Sequence, residues 1–183
     1  PGFRIDDDAI DNDVALIKKT GAEFVMGKEA PDVKELKAMG FDYIVLACGA
    51  EKKGCLNIEG NVMNVIDFLY AFKNGGELKL GRNVAVVGGG NTAMDAARAA
   101  KRAEGVEKVT LVYRRNRRYM PADLEELELA IEDGVEFMEL VSPVKQANGK
   151  LVCNKMKLGD KDASGRRVPV ETGETVEVDA DTV

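Results

Sequence analysis

Histidine is absent from the 183 residues. Its absence removes the commonest general base and the commonest metal ligand. Three cysteines, Cys48, Cys55 and Cys153, are too few and too scattered for a disulfide framework or a four-cysteine metal site. No Cys-x-x-Cys pair occurs, so a dithiol redox centre is not expected. Cys48 and Cys153 fall in strand-like runs and read as small buried hydrophobes. No apolar run approaches the roughly 20 residues that a membrane-spanning helix needs. Nor does a basic, apolar leader open the chain. The formal net charge of −6 argues against a nucleic-acid surface, which requires a basic face. At 45% hydrophobic residues the chain can bury a core. The expectation is a cytoplasmic protein of one domain, or one domain plus a piece of another, with no metal, membrane or nucleic-acid partner.

Against these absences one stretch stands out, Asn83 to Asp95 (Asn-Val-Ala-Val-Val-Gly-Gly-Gly-Asn-Thr-Ala-Met-Asp). Val84 to Val87 read as a buried strand, three glycines follow, and an alanine-rich helical pattern begins at once. The spacing Gly88-x-Gly90-x-x-Ala93 fits the alanine-ended dinucleotide fingerprint. Gly88 allows the tight turn, Gly90 lets the backbone approach a pyrophosphate, and Ala93 lets the helix pack close to the strand. Gly89 completes the turn. The uncapped N–H groups of the first helical turn then face the anion, and Asn91 and Thr92 add side-chain donors.

The rest of the chain builds an α/β pattern around that turn. Ile10, Val14 and Ile17 recur at helical spacing before Gly21, Glu23 to Met26 reads as a short strand, Asp32 to Met39 as a helix, and Tyr43 to Ala47 as a strand. Residues 51 to 62 carry turn signals and read as a linker. A helix bearing Val65, Phe68, Leu69 and Phe72 stops at Asn74-Gly75-Gly76. After the central strand and a helix to about Glu104, Lys108 to Tyr113 supplies a second strand, and the crossover should be right-handed. Met120-Pro121-Ala122 is expected to open a helix with Leu124, Leu127 and Ile131 as its core stripe. Val135 to Leu140 follows as a third strand. Beyond Pro143 come short alternating runs at Lys150 to Leu158, Arg167 to Val170 and Thr175 to Val178, expected to form an antiparallel meander. The expected fold is therefore a Rossmann-like, three-layer βαβ parallel sheet with a β meander near the C-terminus. Asp181-Thr182-Val183 reads as the start of another strand, so both ends are expected to be truncated.

The end of the second strand should carry an acid for the ribose hydroxyls of NAD, or a basic group if a 2′-phosphate must be met. Here it runs Tyr113-Arg114-Arg115-Asn116-Arg117-Arg118, with no acid. Guanidinium matches phosphate by bidentate geometry. Arg114, Arg115 and Arg118 are the candidate contacts, Arg117 being expected to point away. Pairing with the acidic stretch Asp123 to Glu132 would give surface ion pairs worth only ~0–1 kcal/mol each. NADPH is thus the expected nucleotide, with NADH as the alternative. Asp160-Lys-Asp162-Ala-Ser164-Gly165, with Glu171, has the spacing of a calcium loop, but strands flank it and Arg167 and Pro169 fall at unsuitable positions. A turn between meander strands is the expected reading.

On these residues the chain resembles the NAD(P)H-binding region of the glutamate synthase small-subunit family of flavoproteins, which takes in the reductase half of dihydropyrimidine dehydrogenase and selenate reductase subunits. The matching residues are Phe3-Arg4-Ile5, Phe41 to Ala50, Val84 to Ala97, Tyr113-Arg114-Arg115 with Met120-Pro121-Ala122, and Leu158 to Arg167 with Asp181-Thr182-Val183. The resemblance implies residues 1–52 as the tail of an FAD-binding domain and 53–183 as the NAD(P)H-binding domain. It implies that Ala47, Cys48, Gly49 and Ala50 mark the crossing between them. NADPH would dock here and give a hydride to FAD on a neighbouring domain, and an iron–sulfur domain or subunit would carry electrons onward. The FAD fingerprint and the cluster cysteines are not present in this sequence, so FAD is not expected to bind this segment well, nor is the segment expected to turn over alone. No catalytic side chain is named, because hydride transfer between nicotinamide and flavin needs position rather than an acid or base. Two other readings stand beside this one: a nucleotide-binding or interaction module without redox turnover, and a glycine turn that holds FAD itself.

Overall fold

The computed structural model describes residues 2–49, 53–54 and 56–183. These fall into two compact units, Gly2–Lys52 and Lys53–Val183.

The first unit holds two helices, α1 (Asp7–Lys19) and α2 (Val33–Ala38). Both begin where a carboxylate satisfies an otherwise unpaired amide. The Ala9 N–H donates to Asp6 at 2.7 Å, and Asp32 forms a reciprocal capping box with Glu35. The expected strands at Glu23–Met26 and Tyr43–Ala47 do not form. A strand is completed by a partner ladder, and among the described residues of this unit there is no strand to pair with. The apolar side chains are correspondingly uncovered, Tyr43 being 91% and Val45 87% exposed. Cys48, expected to be buried, is exposed for the same reason. No described residue from Gly2 to Gly49 is buried, so the unit has helices without a core of its own.

The second unit carries the core. It runs α3 (Val65–Lys73), β1 (Asn83–Val87), α4 (Asn91–Arg102), β2 (Lys108–Tyr113), α5 (Leu124–Glu132), β3 (Glu136–Glu139), β4 (Val141–Ala147), β5 (Lys150–Lys161) and β6 (Arg167–Asp179). Strands β1, β2 and β3 pair in parallel in that order, and β4, β5 and β6 form an antiparallel meander. The period-2 alternation of β1 divides its neighbours between two layers. By that alternation Val84 and Val86 share one face, and they line a cavity with Ala93, Ala96 and Ala100 of α4, whereas Ala85 joins Val112, Val141, Leu151, Cys153 and Val178 in a core shared with the meander. Helices thus cover one face of the parallel sheet and the meander covers the other. Alanine serves α4 twice, as the strongest helix former and as a residue small enough to allow close packing, and Ala97, Ala99 and Ala100 are fully buried.

Several boundaries differ from those expected of the sequence. Helix α5 starts at Leu124 rather than at Pro121. Its buried side chains are Leu127 and Ala130, while Leu124 and Ile131 are exposed. The preceding residues are drawn toward the glycine turn instead, as described below. Arg167 to Asp179 is one strand with an irregular register against β5, not two separate runs, and Pro143 lies within β4 at a register shift. In the segment expected as a linker, Glu51, Lys52 and Cys55 lie outside the described residues. Its later part is docked, not free: the Gln146 N–H donates to Glu59 O (2.8 Å), the Met63 N–H to Val183 O (2.7 Å), and the Val183 N–H to Asn61 O (2.9 Å). Thr182 forms a parallel bridge to Val84. The Asp181 carboxylate caps the start of β1 by accepting from the amides of Asn83 (2.8 Å) and Arg82 (2.9 Å). No helix among the described residues is long and apolar enough to cross a membrane.

Candidate functional site

The glycine turn joins β1 to α4 at the C-terminal end of the parallel strands, where open α/β sheets hold their ligands. Each glycine there has a different reason. A Cβ on Gly88 would lie 3.0 Å from that of Ala93, so the pair sets how closely helix and strand approach. A Cβ on Gly89 would lie 2.4 Å from the ring of Tyr113. At Gly90, in contrast, the nearest atom is Pro121 Cγ at 4.0 Å. The protein itself leaves room at the one glycine assigned to backbone approach.

Gly90 is also the N-cap of α4 and supplies no side chain to satisfy the first turn. The Ala93 and Met94 amides donate to Gly90 O, while those of Gly89, Gly90, Asn91 and Thr92 have no acceptor among the described residues. Several donors and the positive end of a 12-residue helix therefore meet at one point. Thr92 is exposed beside them. Asn91 is engaged differently from its expected role. Its Nδ2 donates to Asp123 Oδ2 (3.2 Å) and its Oδ1 accepts from the Asp123 N–H (3.1 Å).

That reciprocal pair is one of three fastenings between the glycine turn and the arginine-bearing loop after β2. The Ala122 N–H donates to Gly89 O at 2.9 Å. The Tyr113 ring, 7% exposed, packs on Gly89, and its hydroxyl donates to Tyr119 O at 2.7 Å. Residue spacing gives Tyr113, Tyr119, Pro121 and Asp123 no place in the site, because none of them bears the fingerprint. The signal for Tyr113 is its position at the end of β2, opposite a glycine that tolerates no Cβ.

The four arginines separate into two kinds. Arg115 is buried, its Nε donating to Arg167 O at 2.8 Å and its Nη2 lying 3.5 Å from Asp162 Oδ2. The Arg117 amide donates to Glu139 (2.9 Å), and its guanidinium lies 6.0 Å from the Phe137 ring centroid, directed at β3 and in keeping with the expectation that it points away. Arg114 and Arg118 are exposed, with no hydrogen bond or ion pair to any described residue. A largely apolar cavity of about 600 Å³ follows β1, lined among others by Met63, Phe68, Val86, Gly90, Thr92 and Ala93 and by none of the four arginines. Ala47, Cys48 and Gly49 belong to the other unit, where all three are exposed, and Ala50 lies outside the described residues.

The Asp160 to Glu171 stretch runs from the end of β5 through a turn at residues 162–166 into β6. Asp162 Oδ1 accepts from the amides of Ser164 (2.9 Å) and Arg166 (3.1 Å). Hydrogen bonds from the Ser164 side chain and these amides hold the Asp162 carboxyl below its usual range. Cys153 is buried, and desolvation pushes its thiol up to about 11, which leaves it an inert core residue.

Comparison with known proteins places this geometry in context. Residues 7–183 match the family model described as pyridine nucleotide-disulphide oxidoreductase. The whole chain is 45% identical over 189 residues to YgfK of Escherichia coli strain K12, covering 18% of that protein. It is 31% identical over 208 residues to the glutamate synthase [NADPH] small chain of Azospirillum brasilense, covering 42% of it. The chain thus spans less than half the length of either relative. In fold it resembles FprA of Mycobacterium tuberculosis, a His57Gln mutant, with a TM-score of 0.64 at 20% identity over 82% of this chain and 51% of that one. The resemblance to the glutamate synthase small-subunit group drawn from the motifs is matched by these relatives. The chain belongs to the pyridine nucleotide-disulphide oxidoreductase family.

Proposed function

We propose that residues 53–183 form the NADPH-docking domain of a multidomain flavoprotein oxidoreductase, and that residues 1–52 are the tail of its FAD-binding domain. One observation carries the reading. The fold fastens a turn with open amides to a loop with two uncommitted arginines, so that groups suited to a pyrophosphate and to a 2′-phosphate lie on adjacent strand ends. These residues fit the nucleotide. Gly90 has room for an anion against the backbone, the amides of Gly89 to Thr92 are available as donors, and Arg114 and Arg118 are free to meet the additional phosphate. The cavity along β1 is lined by residues of α3, β1 and α4 and by none of the arginines, which suits the nicotinamide end.

When bound, the nicotinamide would supply a hydride to a flavin held on the neighbouring domain. This chain's residues bind the phosphates, orient the dinucleotide across the strand ends and select for the 2′-phosphate. None needs to act as acid or base. Ala47, Cys48 and Gly49 would then mark the passage from one domain to the other. An iron–sulfur domain or subunit would take up electrons in a cytoplasmic assembly, and the 183-residue chain alone would not turn over.

Calorimetric titration with NADPH and NADH tests the reading. NADPH binds more tightly, and Arg114→Ala or Arg118→Ala removes that advantage by ~1.5–3 kcal/mol, about one to two decades in affinity, without changing NADH. Equal binding of the two nucleotides, or none, defeats it. Binding without hydride transfer in the full-length gene product would favour a nucleotide-binding module instead.

A further inference from the structure

The loop after β2 holds four like-charged side chains within five residues, yet the inner and outer pairs are treated differently. Arg115 and Arg117 are committed to the protein, and Arg114 and Arg118 are not. Arg115 is the more deeply committed, with its side chain 8% exposed. Its guanidinium bonds a carbonyl at the start of β6 and faces the Asp162 carboxylate in the β5–β6 turn. Its backbone is held as well. The Leu140 N–H donates to Arg115 O at 3.1 Å, and Leu140 O accepts in turn from the Met156 N–H at 2.7 Å. Asp162 is itself preset, because the amides of Ser164 and Arg166 engage Oδ1 and leave Oδ2 toward Arg115.

A guanidinium so placed is a poor phosphate ligand. Turning it outward would leave the Arg167 carbonyl and the Asp162 carboxylate without their partner. Where it stands, it does two things for its neighbours. It fixes the backbone between Arg114 and Arg118, and its own charge is balanced by Asp162, so the loop is relieved of one repulsive cation while the free pair keeps its charge.

We infer that Arg115 is a positioning residue for nucleotide selectivity. Braced by Arg167 O and Asp162, it holds Arg114 and Arg118 at the 2′-phosphate, and the meander thereby sets the preference for NADPH over NADH. The inference rests on the reading of Arg114 and Arg118 given above. It assigns to the β5–β6 turn, which touches no nucleotide, a part in choosing the nucleotide.

The test is a pair of titrations, NADPH and NADH, on the full chain and on Asp162→Asn, Arg115→Met and Arg115→Lys, with thermal melting followed by circular dichroism. Asp162→Asn keeps an oxygen for the Ser164 and Arg166 amides and removes the charge that faces Arg115. NADPH affinity is expected to fall about 3–10-fold in Asp162→Asn and about 10–100-fold in Arg115→Met, since small displacements of a positioned group are costly. NADH affinity should stay within about twofold, as expected for a site that is not disturbed. Arg115→Lys should behave like Arg115→Met, because a point charge cannot hold the forked arrangement. If Asp162→Asn keeps or raises the NADPH preference while Arg115→Lys retains most of it, Arg115 is a direct phosphate ligand and the inference is overturned. Equal loss of both nucleotides with a lowered melting temperature overturns it as well, leaving a purely structural role. A parent chain with no NADPH preference, or one indifferent to Arg114→Ala, overturns the functional reading beneath it, and that outcome is visible before any brace variant is made.

Discussion

Three adjacent glycines occupy three different environments, and single substitutions should separate them. Gly89 faces the Tyr113 ring at a distance no Cβ can occupy. Gly89→Ala therefore must displace a buried aromatic, at a cost of about 1–3 kcal/mol, and with it the hydroxyl contact to Tyr119 that shapes the arginine loop. Gly90 meets nothing closer than 4.0 Å. Gly90→Ala should cost about 0.5–1 kcal/mol, the difference between glycine and alanine at a helix N-cap, yet weaken both nucleotides because a Cβ then stands where the proposed anion would approach. Chemical denaturation paired with calorimetry reads both effects. Equal stability losses in the two variants would refute the assignment. The arginines teach the same lesson: side chains of one type, a residue apart, differ in use because one finds a carbonyl and a carboxylate and the next finds solvent.

Between elements, the junction of α4 and α5 rests on a compact ionic cluster. Asp133, at the C-cap of α5, accepts from Arg98 Nε (2.6 Å) and from Arg102 Nη2 (2.7 Å). Hydrogen bonding from Arg102, with a further contribution from Arg98, lowers the Asp133 carboxyl to about 2. Asp133 is 19% exposed and Arg98 only 9%, so the pair is poorly screened. A pKa depressed in the folded state contributes stability that is complete above the unfolded value, near 4, and is lost as pH falls through about 2. Asp133→Asn should therefore cost on the order of 2 kcal/mol at pH 7. The deficit relative to the parent should shrink steadily between about pH 4 and pH 2. Urea denaturation across that range checks it, and a deficit independent of pH would show that the loss comes from packing. Helix α4 thus carries open donors at its N-terminus and basic residues in its last turn that satisfy both its dipole and its neighbour.

Across the whole molecule the core is unevenly shared. Every buried side chain among the described residues lies between Phe68 and Thr182, and the Gly2–Lys52 unit has none. Removing residues 1–52 should therefore leave a cooperative thermal transition and nucleotide affinity close to that of the full chain. Fluorescence of the apolar dye ANS should fall, because the exposed Val25, Met26, Tyr43, Val45 and Leu46 go with the deletion. Loss of the transition on deletion would show that the short helices support the larger unit. This division is the physical reason that strand patterns are fulfilled in the larger unit and fail in the Gly2–Lys52 unit, where only the expected helices form. Asn83–Val87, Asn91–Arg102 and Lys108–Tyr113 find their partners within a few tens of residues, so their local patterns and their tertiary fates agree. Glu23–Met26 and Tyr43–Ala47 carry equally good strand patterns, but a strand pattern states a willingness to pair and not the presence of a partner.

The glycine turn, the helix that follows it, a parallel βαβ sheet and the meander are legible in the residues alone, because each rests on periodicity and turn chemistry within a short span. Which arginines remain free was settled by long-range packing. Arg115 is committed to a carbonyl 52 residues away, and Asn91 to an aspartate 32 residues away. Those commitments depend on desolvation and hydrogen-bond geometry, which arise when distant segments pack and have no expression in local spacing.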